Sequence, residues 1–469
     1  MPEAPIMFGN IQESGNAELA GASPLAINVL VDGRGSVRRR PGLSTWSGFP
    51  EAIPDATQID GIHAFDGDIY YVTDTRRIHK ISGGAHSAMT DGTFNSYLAG
   101  TQRPVFADTP WRLVIAGGGA LEKVDDGDVI AERLGGSPPN CNSVCAIANR
   151  LFIDDNTSNS TIGHIRASGL GTTGNESFDA LDYVVADART DDIVALRENT
   201  NEVFAFGATS LQVFSPDSIS ILAPGRTRNI GCAAAHSVVR IDDAFAWLDN
   251  QRQFRLSDGR GDEVISDPIA ETLDGIATVS DCYGFRINTG QFDCVVWVFP
   301  TDGRSFCWER NGGWSQWHGW SGGFHSLLPI KAHFYDETNN LHLAGLATGQ
   351  IVKVDTEANT DLGDTVKAEV LTGFISRETD AVKQCHAIRF TVKRGQASTE
   401  PVLRLSWRDD LGRFCQPLNI RLGTSGDYLA TVEKRGLGAY RRRQWKLEFD
   451  ANAELLVAGV TEVFSVGSN

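Results

Sequence analysis

No stretch of this chain approaches the roughly 18 uninterrupted apolar residues that a membrane-crossing helix needs, and the expectation is of no membrane segment. The opening MPEAPIMFGN lacks the basic start and apolar centre of a secretion signal. Cysteine is sparse, with eight in 469 residues and no CxxC pair, which argues against a disulfide scaffold or a zinc cluster. Cys141 and Cys145, in CNSVC, have the wrong spacing for a zinc knuckle and no histidine beside them. This usage fits synthesis and folding in a reducing cytoplasm. Sustained helical periodicity is missing too; the best helical candidate is short, Ser266 to Ala277, with Ser-Asp-Pro as its cap.

Catalytic signatures are equally scarce. There is no P-loop and no HExxH. The ten histidines form no HxH or HxxxH spacing. Asp125, Asp126 and Asp128 lack the alternating ligands and closing glutamate of a calcium loop and read as a hairpin turn. WD dipeptides and sialidase-type aspartate boxes are absent, which weakens a WD40 scaffold and a glycosidase. The expectation is a non-enzyme with no cofactor and no metal.

What the chain does contain is glycine, 49 residues of it, and a repeat. Apolar strand, tight polar turn, second strand, turn and third strand recur seven times between residues 61 and 356, most plainly in GIHAFDGDIYYVTDTRRIHKI. The first strands end near Phe65, Val105, Ile147, Leu196, Val239, Phe285 and His333, at intervals of 40, 42, 49, 43, 46 and 48 residues. A period of roughly 40 to 50 residues in units of about four strands marks propeller blades. No unit buries both of its apolar faces alone, so the units stack around an axis. The fold expected is all-β: a β-propeller of about seven blades, six being the alternative, then a C-terminal β-sandwich. The divisions are 1–60 for strands closing or joining the propeller, 61–364 for the propeller and 365–469 for the sandwich. Ala26 to Val31, AINVLV, is expected to close the ring or complete the first blade. Two segments read as insertions: Gly169 to Val185, and Cys307 to Gly323, whose Trp308, Trp314, Trp317 and Trp320 either pack between blades or anchor an interface, readings favoured over sugar binding.

Charge divides the chain. Its net charge is −17; residues 366–469 hold 16 Lys+Arg and 12 Asp+Glu, or +4, leaving −21 for the rest. An acidic repeat body repels phosphate chains, which excludes sequence-specific nucleic-acid binding by it. The smaller basic unit is suited to docking on an acidic neighbour.

Four segments resemble, in order, the tail-hub or packaged-DNA-stabilisation proteins of short-tailed bacteriophages. They are LAINVLVDGRGSVRRRPGLSTW, EVFAFGATSLQVFSP (Glu202 to Pro216), the stretch Arg228 to Leu273, and KRGLGAYRRRQWKLEF (Lys434 to Phe449). The resemblance implies a structural virion protein of the tail, made in the host cytoplasm. Six copies would form a homo-hexameric ring below the portal and its adaptor. The ring would extend the channel, retain packaged DNA, let it pass at ejection without specific binding, and carry a tail needle or plug and tailspikes or fibres. The candidate interface residues are Trp314, Trp317 and Trp320, the run Arg38, Arg39 and Arg40, and Arg441, Arg442 and Arg443 in the closing strand. A non-viral protein-interaction or carbohydrate-binding propeller is the alternative, the tryptophans being the feature that would suit sugar rings.

Overall fold

The computed structural model describes residues 2–8, 11–12, 24–31, 36–49, 58–92, 96–127, 130–158, 161–169, 177–186, 189, 191–217, 221–394, 400–410, 412–423 and 428–467. The architecture is all-β, as the sequence predicts. In each repeat the second strand is largely apolar and buried along nearly its whole length: IYYVT, RLVIA, RLFID, EVFAFG, AFAWL, CVVWVF and LHLAGL. Such strands do not alternate because both of their faces are covered, here by the neighbouring sheets. The hairpin turns carry the left-handed backbone that matches strand twist, as at Asp66 (φ 50°) and Gly67 (φ 76°).

Six four-stranded antiparallel meanders are made of consecutive chain. Their inner strands are Ile59–Phe65, Val105–Thr109, Val144–Ile147, Ile193–Asn199, Val239–Ile241 and Tyr283–Asn288. A further meander, Ile330–Asp336, Leu341–Leu346 and Ile351–Asp355, is composite: its fourth strand is Gly42–Thr45, from the other end of the chain. The register sets Val352 against Thr45 and Asp355 against Gly42. Each pair of adjacent sheets encloses its own apolar cluster. The ring closes where Ile59, Ile62 and Tyr71 pack on Ala332, Leu343 and Ile351.

The ring-closing strand therefore corrects the expectation placed on Ala26 to Val31. That stretch breaks at Asn28, whose left-handed backbone (φ 54°) turns the chain from one sheet into another. Leu25–Ile27 lies between Gly313–Gln316 of the sixth meander and Ala368–Leu371. Val29–Val31 pairs instead with Val37–Arg39, which pairs with Leu456–Val466. Most of the described N-terminal strands thus join the C-terminal sheets. Those sheets face each other across Ile388, Phe390, Val457 and Val460 on one side and Leu403, Leu405, Leu447 and Phe449 on the other.

Both supposed insertions supply strands. Arg304–Glu309 and Gly313–Gln316 form a hairpin that sets Trp308 opposite Trp314 and completes the sixth meander. Tyr183–Val185 is the outer strand of the third, beyond residues 170–176, which lie outside the described set. The helical candidate shrinks to a 3-10 turn, Asp267–Ile269, and one α-turn, Ala270–Asp274. Ser266 does not cap it, because its hydroxyl accepts the Phe254 N–H at 2.9 Å. No helix among the described residues is long and apolar enough to cross a membrane.

Candidate functional site

The basic run splits by strand geometry. On Val37–Arg39 the side chains alternate, so Arg38 is exposed while Arg39 is buried. Arg39 donates to the carbonyls of Ala451 at 2.8 Å and of Ala453, and its guanidinium lies 5.3 Å from the Phe449 ring. Burial, and then the neighbouring Arg40, lowers its pKa to about 10. These contacts fasten the strand to the sandwich, so Arg39 is a structural residue.

Arg40 is also buried, and ties together three distant parts of the chain. Its two Nη atoms hold both oxygens of Asp361, at 3.0 and 2.6 Å. Nε donates to Asn28 Oδ1 at 3.0 Å, and Nη2 also donates to the His318 carbonyl at 2.9 Å. Asn28 Oδ1 accepts the His318 N–H at 2.7 Å, and Asn28 Nδ2 donates to the Lys367 carbonyl at 2.8 Å. The node thus joins the sheet-switching corner, the tryptophan-rich segment and the link from the last propeller strand to the sandwich. A bidentate pair of this kind is a positional lock.

Trp314 and Trp317 are each 1% exposed and pack between meanders, the interior one of the readings open to that segment. Trp314 stacks on Trp297 and Phe254, with ring centroids 5.7 and 5.5 Å away, and donates its Nε1–H to the Ile265 carbonyl at 2.6 Å. Trp317 packs in the cluster between the sixth and the composite meander, with Phe285, Leu328 and Leu346. Trp320 is half-buried, edge-on to His325 at 5.0 Å and 5.1 Å from the Lys367 ammonium. It starts a two-stranded hairpin, Gly319–Ser321 and Phe324–Ser326, whose tip exposes Phe324 at 76%.

The second arginine run also divides into buried and exposed members. Arg443 is buried, bidentate to Asp409 at 2.7 and 2.9 Å, and surrounded by Tyr440, Trp407 and Trp445 at 4.4, 5.2 and 5.1 Å. Arg441 and Arg442 are exposed. Arg441 donates to the Asp380 carbonyl at 2.7 Å, and Arg442 stands 4.0 Å from Asp410. Of the nine candidates, Arg38, Arg441, Arg442 and part of Trp320 remain on the surface of the single chain. Cys141 and Cys145 are buried free thiols in two different inter-sheet cores, so CNSVC is packing. Among the described residues no three His, Cys, Asp or Glu side chains are placed to hold a metal ion. Asp128 lies outside the described residues.

His318, beside the node, gives the junction an acid weakness. Burial, then His325, lowers its pKa to about 4, against an ordinary value near 6.5. Burial likewise takes the His333 imidazole, hydrogen-bonded to His342 at 3.1 Å, down to about 3. A depressed histidine pKa means that the unfolded chain binds the proton first as pH falls. Stability is therefore whole above about pH 6.5 and lost toward pH 4. The melting temperature should fall over that window, and His318→Gln should shrink the fall while leaving the value at pH 7.5 nearly unchanged. An undiminished fall in the variant removes His318 from the account.

No curated protein matches the chain. Solved structures match the chain at 7–12% identity. One is BamB from Moraxella catarrhalis (12% identity, 75% of this chain and 97% of that one, TM-score 0.41). Another is the Pan2 WD40 domain of Neurospora crassa (7% identity, 69% of this chain and 96% of that one, TM-score 0.42). At such scores these likenesses carry no argument. The family comparison does: residues 39–258 match the model described as "Bacteriophage P22 Gp10, beta-propeller", of the phage-stabilisation family. That span runs from Arg39 through the first four meanders into the fifth; it takes in one of the four resembling segments whole, Glu202 to Pro216, and parts of two others. Over residues 39–258 the match supports the tail-hub family of bacteriophages that the sequence resembles.

Proposed function

We propose that the chain is a subunit of the tail hub of a short-tailed bacteriophage. In this reading it forms a ring of six below the portal and its adaptor. It continues the DNA channel, holds the packaged genome in and carries the needle or plug and the tailspikes or fibres. The observation that carries the proposal is the family match over residues 39–258 on a propeller.

Physical features of the chain support it. Closed rings of antiparallel sheets offer few free edges for unwanted pairing and suit a passive scaffold. The body before residue 366 carries −21, which keeps a polyanion from adhering as it passes. Exposed Arg38, Arg441 and Arg442 offer cationic contacts to a neighbouring subunit. The carbohydrate alternative loses its motive, since Trp314 and Trp317 are interior. A nonsense mutation in this gene tests the role: heads should fill and then leak, giving nuclease-sensitive DNA, with particles that lack appendages. Heads that keep their DNA and carry complete tails would overturn the reading.

A further inference from the structure

A cavity of about 180 Å³ lies on the propeller axis, at the end where the inner strands begin. Its polar lining is Asp60, Arg103, Arg197, His236, Tyr283, Lys331 and His333. The three cations come from different parts of the ring. Arg103 precedes the second inner strand, Arg197 lies in the fourth and Lys331 in that of the composite meander. None of the three makes an ion pair among the described residues. The hydrogen bonds of the two arginines end on neutral oxygens instead. Arg103 Nη2 donates to the carbonyls of Asp60, at 3.4 Å, and of Lys331, and its guanidinium lies 4.1 Å from the Tyr283 ring. Arg197 donates to Ser143 Oγ at 3.1 Å and to the carbonyls of Leu196 and Ala235 at 2.7 and 3.0 Å. Such partners fix a guanidinium without neutralising it. Asp60 is the single carboxylate, and it accepts a bond from Gln58 Nε2.

We propose that this axial cavity binds a small free oxyanion of the phosphate class. Three positive charges against one negative, gathered in a half-buried channel, repel one another, and burial already lowers the pKa of Arg103, Arg197 and Lys331. The His236 imidazole, held neutral by burial, adds a hydrogen-bonding nitrogen. A tetrahedral oxyanion supplies the missing charge and enough oxygens to meet groups converging from several sides. The site is local and opposite in sign to the body around it, and its volume admits a single ion and no polymer.

A purely structural reading explains the arginines as clamps between meanders. It does not explain Lys331, whose ammonium has no hydrogen bond or ion pair among the described residues. Lys331 is therefore the residue to test. Calorimetric titration of the full chain with inorganic phosphate, at constant ionic strength in chloride, should show saturable binding. Lys331→Met should weaken it about tenfold or more, the weight of one charge-assisted contact, and Lys331→Arg should restore most of it. Asp60→Asn should tighten binding, a change of opposite sign that a merely damaged fold does not produce. No saturable heat with phosphate, or equal binding by wild type and Lys331→Met, overturns the site. A requirement for phosphate can fail while the tail-hub role stands, and the reverse.

Discussion

Replacing Arg40 by methionine should lower the unfolding free energy by about 3–5 kcal/mol, because it leaves the Asp361 carboxylate buried without its partner. The pair is nearly dry: the side chains of Arg40 and Asp361 are 2% and 9% exposed. The loss reaches beyond the pair, since Asn28 Oδ1 and the His318 carbonyl each lose a donor. Equilibrium denaturation of Arg40→Met, Asp361→Leu and the double variant separates the contributions. The double variant should be more stable than the sum of the single losses predicts, because removing both charges abolishes the desolvation cost that each single change strands. Arg38→Ala, two residues away and exposed, should stay within about 0.5 kcal/mol of wild type. A cost below about 1 kcal/mol for Arg40→Met would rank the pair with surface ion pairs and remove the node as the fastening of propeller to sandwich.

The difference between Arg38 and Arg40 shows where sequence reading stopped. The repeat was legible because it rests on a property every unit must have: a second strand apolar on both faces, bounded by turns. The third copy, irregular in its NTSNSTIG turn, still forms a four-stranded sheet, since Arg150–Asp154 meets the same demand. Ring closure was not legible. AINVLV looks more like a strand than GLST does, yet GLST closes the ring. What decides is where the free edge stands: Ile351–Asp355 lacks a fourth strand, and the turn at Arg40 and Pro41 delivers Gly42 to it. The left-handed corner at Asn28 sends AINVLV into two other sheets, and only three-dimensional pairing reveals such a switch.

The arginine runs failed for a related reason. Three like charges in sequence read as one patch, but neighbours in the chain can stand in different surroundings. Arg441 and Arg442 lie in a bend and are exposed, while Arg443 opens the next strand and is buried onto Asp409 among three aromatic rings. The axial cations were invisible for a different reason: Arg103, Arg197 and Lys331 lie far apart in the chain, and only the circular stacking of inner strands brings them to one cavity.

Trp314 is the tryptophan for which the structure selects the packing reading over the interface one, and its removal should be as costly as that of Arg40. Trp314→Ala should destabilise the protein by about 3–5 kcal/mol, the usual range for deleting a large aromatic side chain from a packed interior. The indole fills space between the fifth and sixth meanders against Phe254 and Trp297, in a cluster that continues into the sandwich core. Its loss also leaves the Ile265 carbonyl without the Nε1–H donor. Trp314→Phe keeps the stack and loses the donor, so its cost should fall between wild type and alanine. Trp320→Ala, which removes only a half-buried ring beside His325 and Lys367, should cost less than about 1.5 kcal/mol. Denaturant titration followed by tryptophan fluorescence and by far-ultraviolet dichroism reads all three variants. A reversed order, with Trp320→Ala the more damaging and Trp314→Ala nearly silent, would put Trp314 outside the core. The sixth meander would then lose its outer hairpin and its continuity with the sandwich.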